Sequence, residues 1–229
     1  MKYKFRVYMS YTVNIPMMNR AIDAVAKQIR QFSTEERPIL ILNNSMVSIM
    51  DQIENKTDCQ EIFPCTPLQC ATTSNWMIRL AHDNEEPFCM EVQQDAVLYD
   101  GAIETAIAKF EEVKDTKWIA IHANGGFEIK NINFYYTENV WYDDFLFPFY
   151  YTDNHMYRIS TLRGWPVIRI PCDLALHESS HCIRDDPVLN RRNHFAFPAH
   201  GNIYSQVWGG PPGQERINDP YANGTLPRN

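Results

Sequence analysis

The chain has 229 residues, 45% of them apolar and 13% aromatic, enough to build one substantial core. A formal charge of −7 and a pI near 5.5 exclude the electrostatic footprint of a dedicated nucleic-acid binder, so nucleic acid can enter only as a substrate. No stretch approaches the roughly 18 apolar residues of a membrane span. The N-terminus MKYKFRVYMSYTVN lacks the apolar core and small-residue cleavage site of a signal peptide. A cytoplasmic protein is therefore expected. The six cysteines (Cys59, Cys65, Cys70, Cys89, Cys172 and Cys182) show no CxxC spacing, and they read as mostly reduced, buried thiols of an intracellular protein. On that view the sequons at Asn55 and Asn223 are plain surface asparagines.

The first half alternates strand and helix signals. Lys4 to Ser10 reads as a strand, and Met18, Ile22, Val25, Ile29 and Phe32 recur at helical steps along one buried face. Ile39 to Leu42 is an all-apolar run of the kind buried on both faces of a parallel sheet, and it ends in Asn43-Asn44. Helices are expected over Ser45 to Ile53, with Ser45 as cap, and over Thr72 to Ala81. Phe88 to Val92 reads as a strand leading into QQDAVLYDG. Asp100 is placed to cap a further helix that turns Ile103, Ile107 and Phe110 inward, and Trp118 to His122 follows as a strand.

Beyond residue 123, glycine, asparagine and aromatics dominate. A helix from Asp153 to about Arg163 stops at Gly164, Pro166 to Ile170 returns as a strand, and the polar tail from Gly209 reads as loop. No internal repeat is present. The pattern predicts a single α/β domain with a mostly parallel central sheet flanked by helices and an irregular C-terminal part. In such sheets ligands bind beyond the carboxyl ends of the strands. There stand Tyr11 to Asn14, Asn43 and Asn44, Gln93 to Asp95, and the glycine-rich stretch after His122. Asp95 is the one acidic residue ending the central strand, where an oxygen ligand for a divalent cation is well placed.

HESSH at 177–181 matches the HExxH pattern of zinc peptidases, in which two histidines on one helical face hold the metal. The extended form of the motif fails, because Arg184 and Pro187 occupy its later positions and Glu215 is the only glutamate after Glu178. The two serines and the flanking Pro171 and Pro187 also suit a long helix poorly.

Taken in order, these segments resemble the GT-A glycosyltransferases, especially the family-2-like group, over residues 4–220. YTVN looks like the first nucleotide contacts, ILNNS like the second strand with Asn43 or Asn44 where an aspartate is usual, and TTSNWMIRLA like the helix before the metal strand. MEVQQDAVL is similar to that strand with its D-x-D motif, although Gln93 replaces the first aspartate and only Asp95 remains. The resemblance implies a Rossmann-like GT-A domain with a nucleotide-sugar-binding half at 1–122, an acceptor and catalytic half at 123–208, and a tail at 209–229.

It further implies donor binding by Tyr11, Thr12, Asn14, Asn43, Asn44, Asn75, Gln93, Gln94 and the Trp208-Gly209-Gly210 stretch, and Mn²⁺ or Mg²⁺ held by Asp95 and His177. In YYTDNHMYRISTLRGWPV, Asp153 opens a helix where the family places the base of an inverting transferase, with Asp143 and Asp144 as competitors for that role. The implied activity is a hexosyltransferase-like transfer from a nucleotide diphosphate sugar, such as a UDP-sugar, to a hydroxyl acceptor. Glycan, protein and modified DNA base are the candidate acceptors, the last as in virus-encoded enzymes acting in a host cytoplasm. The alternatives are a non-catalytic nucleotide-sugar-binding module and, behind it, the zinc peptidase.

Overall fold

The computed structural model describes residues 2–178, 181–184 and 186–220, except for the side chain of Cys182. A seven-stranded sheet has the spatial order β3-β2-β1-β4-β7-β6-β8. Its strands are β1 (Val7–Tyr11), β2 (Ile39–Asn43), β3 (Cys59–Ile62), β4 (Cys89–Val92), β6 (Ala120–Asn124), β7 (Phe127–Lys130) and β8 (Val167–Arg169). Only β7 runs against its neighbours. Two further strands, β5 (Ala96–Leu98) and β9 (Ala175–His177), form a separate antiparallel pair.

The period-2 alternation of side chains along a strand explains why helices cover both faces. Val7 and Met9, Ile39 and Ile41, and Met90 and Val92 join one core, against α1 (Ile15–Ile29) and α3 (Ala102–Val113). Tyr8, Leu40, Leu42 and Cys89 point the other way, into a second core with α2 (Cys70–Asp83), α4 (Ile132–Glu138) and α5 (Thr152–Leu162). Truncating a buried aliphatic in either core costs about 2–5 kcal/mol. A short helix α6 (His181–Arg184) and the 22-residue α7 (Pro187–Trp208) follow β9, and α7 packs Tyr204 and Trp208 on Phe147 and Ile159.

Local chemistry accounts for the helix ends. Asn14, in left-handed conformation, accepts a hydrogen bond from the Met17 amide, and Pro16 occupies the first turn of α1. Asp186 accepts from the amides of Val188 and Leu189 to start α7, and Gly209 at φ 72 ends it.

Four expectations need correction. Ser45 to Ile53 holds no α-helix, because the Asn43 side chain bonds Ser45 and Glu61 takes the Ser48 hydroxyl and the Ile49 amide, leaving a turn and a 3-10 segment at Met50–Gln52. Gly101 at φ 82, not Asp100, caps α3, and no side chain bonds that terminus. The region read as irregular contains α7, whose interior Pro198 and Gly201 mask the periodicity. Of the five described free cysteines, Cys59 and Cys89 are buried but Cys65, Cys70 and Cys172 are exposed, so the thiols are not mostly interior.

Candidate active site

The segments leaving the carboxyl ends of β1, β2 and β4 line a cleft of about 950 Å³, closed on the far side by the start of α5 and by α7. Its floor is a cross-strand row. Glu91 on β4 lies opposite Glu128 on β7, which lies opposite His122 on β6. Two carboxylates facing each other repel. Lys130, two residues along β7, compensates both: its ammonium bonds Glu91 and lies 3.2 Å from Glu128 Oε1, with the side chain 1% exposed. Burial alone would lower its pKa, but the Glu128 and Glu91 carboxylates override this and hold it well above the usual lysine value. Tyr157 donates its hydroxyl to the other oxygen of Glu128, and Ser74 donates to Glu91 at 3.4 Å. Both Glu91 and Glu128 thus have hydrogen-bond partners.

His122 differs. It is buried, and neither ring nitrogen has a hydrogen-bond partner in acceptable geometry, the backbone of Asn124 being near enough to influence its charge but not to bond it well. Burial lowers its pKa against the pull of Glu128, and Arg169 adds to the lowering, so the imidazole is neutral at neutral pH.

At one end of the cleft the β5–β9 pair sets Ala96 opposite His177, and the Glu178 amide bonds the Asp95 carbonyl. This brings Asp95 Oδ1 to 3.5 Å from His177 Nε2. Gly126 makes that approach feasible, since a Cβ there would sit 2.7 Å from the Ala96 methyl and 2.9 Å from the His177 ring. A nearly buried carboxylate and an imidazole at this separation suit a divalent cation that completes its shell with phosphate oxygens and water. Among the described residues there is no group of three or more His, Cys, Asp or Glu side chains that could hold a metal ion.

At the other end, Tyr151 adopts φ 64, a conformation uncommon for a large side chain. Its hydroxyl fits against Gly201 of α7, where a Cβ would come within 2.9 Å. The turn delivers Thr152, Asp153 and Asn154 to the cleft as the first residues of α5. Asp153 is exposed through the cleft although protein encloses it elsewhere. That enclosure, helped by Glu128 and opposed by backbone amides at the helix start, raises its pKa above the usual aspartate value. The competing Asp143 caps a turn at Phe145 and Leu146, and Asp144 accepts from Thr72.

HESSH is not a helix with both histidines on one face. His177 ends strand β9 beside Asp95, whereas His181 begins α6, and Ser179 and Ser180 lie outside the described residues. Glu178 is ion-paired with Arg20 of α1, whose hydrogen bond lowers its pKa.

Of the residues expected at the donor, Thr12, Asn44, Gln93, Gln94, Asp95 and His177 line the cleft, as does Asp153. Gln94 is also a brace, accepting from the Thr12 amide and donating to the Val13 carbonyl at 2.6 Å. Others serve the framework. Tyr11 packs in the core and Asn14 caps α1, while Asn43 donates to Val47 and Glu61. Asn75 clamps both backbone groups of Tyr142. Trp208 is fully buried and donates to His155 Nδ1 at 3.1 Å, which places it between α5 and α7 rather than in the cleft. Gly209 and Gly210 form the tight turn after it, with no room for a Cβ beside the Gln214 carbonyl. Sequence reasoning missed Glu91, Glu128, Tyr157, Arg192 and Asn193 as cleft residues. A carboxylate inside an otherwise apolar strand, as in CMEV, was the available signal for Glu91.

No protein-family model and no curated protein matches the sequence. Solved structures do match by shape. A mannosyltransferase from Pyrobaculum calidifontis, in complex with GDP-Man and Mn²⁺, superposes with TM-score 0.60 at 10% identity over 90% of this chain and 75% of that one. Glucosyl-3-phosphoglycerate synthase from Mycobacterium tuberculosis, in complex with Mn²⁺, UDP and phosphoglyceric acid, gives 0.58 at 8% identity over 90% and 78%. GalNAc-T7, with UDP, GalNAc and Mn²⁺, gives 0.59 at 9% identity over 91% of this chain and 49% of its own length. With the strand order and the cleft at the strand ends, these likenesses establish that the chain has the GT-A fold.

Proposed function

We propose that the protein is a glycosyltransferase that moves a sugar from a nucleoside diphosphate donor to a hydroxyl acceptor with inversion. The observation that carries this reading is the placement of the Asp95 and His177 pair and of Asp153 in one cleft at the strand ends of a GT-A fold. The structurally similar enzymes named above were solved with nucleotides or nucleotide sugars and Mn²⁺, which supports the same donor class here.

In this reading Asp95 and His177 hold Mn²⁺ or Mg²⁺, which when bound would offset the charge developing on the leaving diphosphate. Thr12 and Asn44, which line the cleft beyond β1 and β2, contact the nucleotide in this reading. The acceptor oxygen attacks the anomeric carbon from the face opposite the diphosphate. The bond from that carbon to the phosphate oxygen breaks with its electron pair leaving on the diphosphate, and the acceptor proton passes to the Asp153 carboxylate. A pKa raised by enclosure makes Asp153 a better base than an exposed aspartate.

A thermal-shift screen of UDP- and GDP-sugars with and without Mn²⁺ identifies the donor. With that donor, Asp153→Asn should reduce turnover by about 10²–10⁴-fold while leaving donor affinity nearly unchanged. Normal turnover in the variant would remove Asp153 from the mechanism.

A further inference from the structure

Seven described residues carry a buried side-chain polar atom that makes no hydrogen bond of good geometry, and among them only His122 and Thr152 line the cleft. His122 is 9% and Thr152 6% exposed. Such atoms are rare in folded proteins because each costs about 1–3 kcal/mol in lost hydration, so their presence asks for an occupant. Their neighbours are not short of partners: Glu91 and Glu128 in the same floor are bonded by Lys130, Ser74 and Tyr157.

The two side chains share a chemistry. A neutral imidazole offers one donor and one acceptor, and a threonine hydroxyl both donates and accepts. Neither carries charge to hold a phosphate, and neither is acceptor-only as a carboxylate is. The ligand groups that match are hydroxyls, which themselves donate and accept. Both residues lie in the cleft that also holds the cation pair and Asp153, with Thr152 directly preceding Asp153 in the chain.

We infer that His122 and Thr152 form the subsite that recognises the hydroxyls of the transferred sugar and so select which nucleotide sugar is used. The inference rests on the proposed donor class but makes a claim that class alone does not: these two side chains read the sugar and not the nucleotide.

The test compares UDP with UDP-glucose and UDP-GlcNAc, and GDP with GDP-mannose, by titration calorimetry on wild type, His122→Phe and Thr152→Val, each with a melting curve. Both variants should melt no lower than wild type, since an apolar group of similar shape replaces an unsatisfied polar one. Nucleoside diphosphate affinity should hold. The extra affinity of the preferred nucleotide sugar over its diphosphate should fall roughly tenfold in each variant, one hydrogen bond's worth, with His122→Gln recovering part of it. Equal nucleotide-sugar affinity in wild type and both variants would overturn the inference. So would a melting temperature lowered by several degrees with diphosphate and sugar binding lost in parallel, which marks a structural role.

If wild type bound none of these nucleotides, the proposed function would fail separately. Methyl α-D-glucoside and methyl α-D-mannoside at high concentration then probe the same floor directly. A wild-type response absent from both variants sustains the subsite, and no response refutes it.

Discussion

Two buried histidines of this protein stand in opposite circumstances. His155, inside the junction of α5 and α7, is 1% exposed and takes the indole hydrogen bond of Trp208. His122, on the cleft floor, is almost as buried but its nitrogens lack good partners. The same contrast separates the mutually bonded Glu91, Lys130 and Glu128 group from Thr152. Burial alone therefore does not distinguish the two histidines, whereas hydrogen bonding does, and among the incompletely bonded residues His122 and Thr152 are set apart by lining the cleft, where Trp118 and Tyr135 lie in the cores.

The largest effect should come from breaking the satisfied side of that contrast. Lys130→Met leaves the buried Glu91 carboxylate facing the half-buried one of Glu128, which should cost about 3–5 kcal/mol and lower the melting temperature on the order of 10 °C. A variant that melts like wild type would show that Lys130 does not neutralise the pair.

A smaller effect concerns His155, whose pKa burial lowers to about 4. The unfolded chain takes up a proton near pH 6.5, but the folded one does so only near 4. Stability should fall as pH drops through that window, by up to about 3 kcal/mol. Glu86 acts in the other sense, because burial raises its pKa to about 7 and the stability linked to its proton is lost as pH rises toward that value. Comparing melting curves of wild type and His155→Gln from pH 4 to 7 isolates the histidine. Parallel curves would mean that His155 is protonated at no extra cost.

The smallest effect is at Arg20. Its pair with Glu178 is partly solvent-exposed, so Arg20→Ala should leave the melting temperature nearly unchanged. A drop of several degrees would place that pair among the framework contacts.

Much of this was legible in the residues. Apolar runs and helical spacing located β1, β2, β4, β6, α1, α2, α3 and α5 to within a few residues, because each element must bury one face or both, and period alone reports which. The strand-end rule brought Thr12, Asn44, Gln93, Gln94 and Asp95 to the cleft, and the helix start brought Asp153. The α7 helix was signalled only at its ends, by Asp186-Pro187 and Trp208-Gly209, with Pro198 and Gly201 between them.

The remainder depended on contacts between distant segments. That His177 meets Asp95 follows from the β5–β9 pairing and the space left by Gly126, which join positions 82 residues apart. That Asn75 and Trp208 brace the framework, while His122 and Thr152 keep open hydrogen-bonding capacity, follows from which neighbours arrive on folding. Local sequence sets the period and end chemistry of each element, because those depend on nearby residues. The partners of a buried polar group come from other strands and helices, so only the assembled tertiary structure decides whether that group is spent on the fold or left for a substrate.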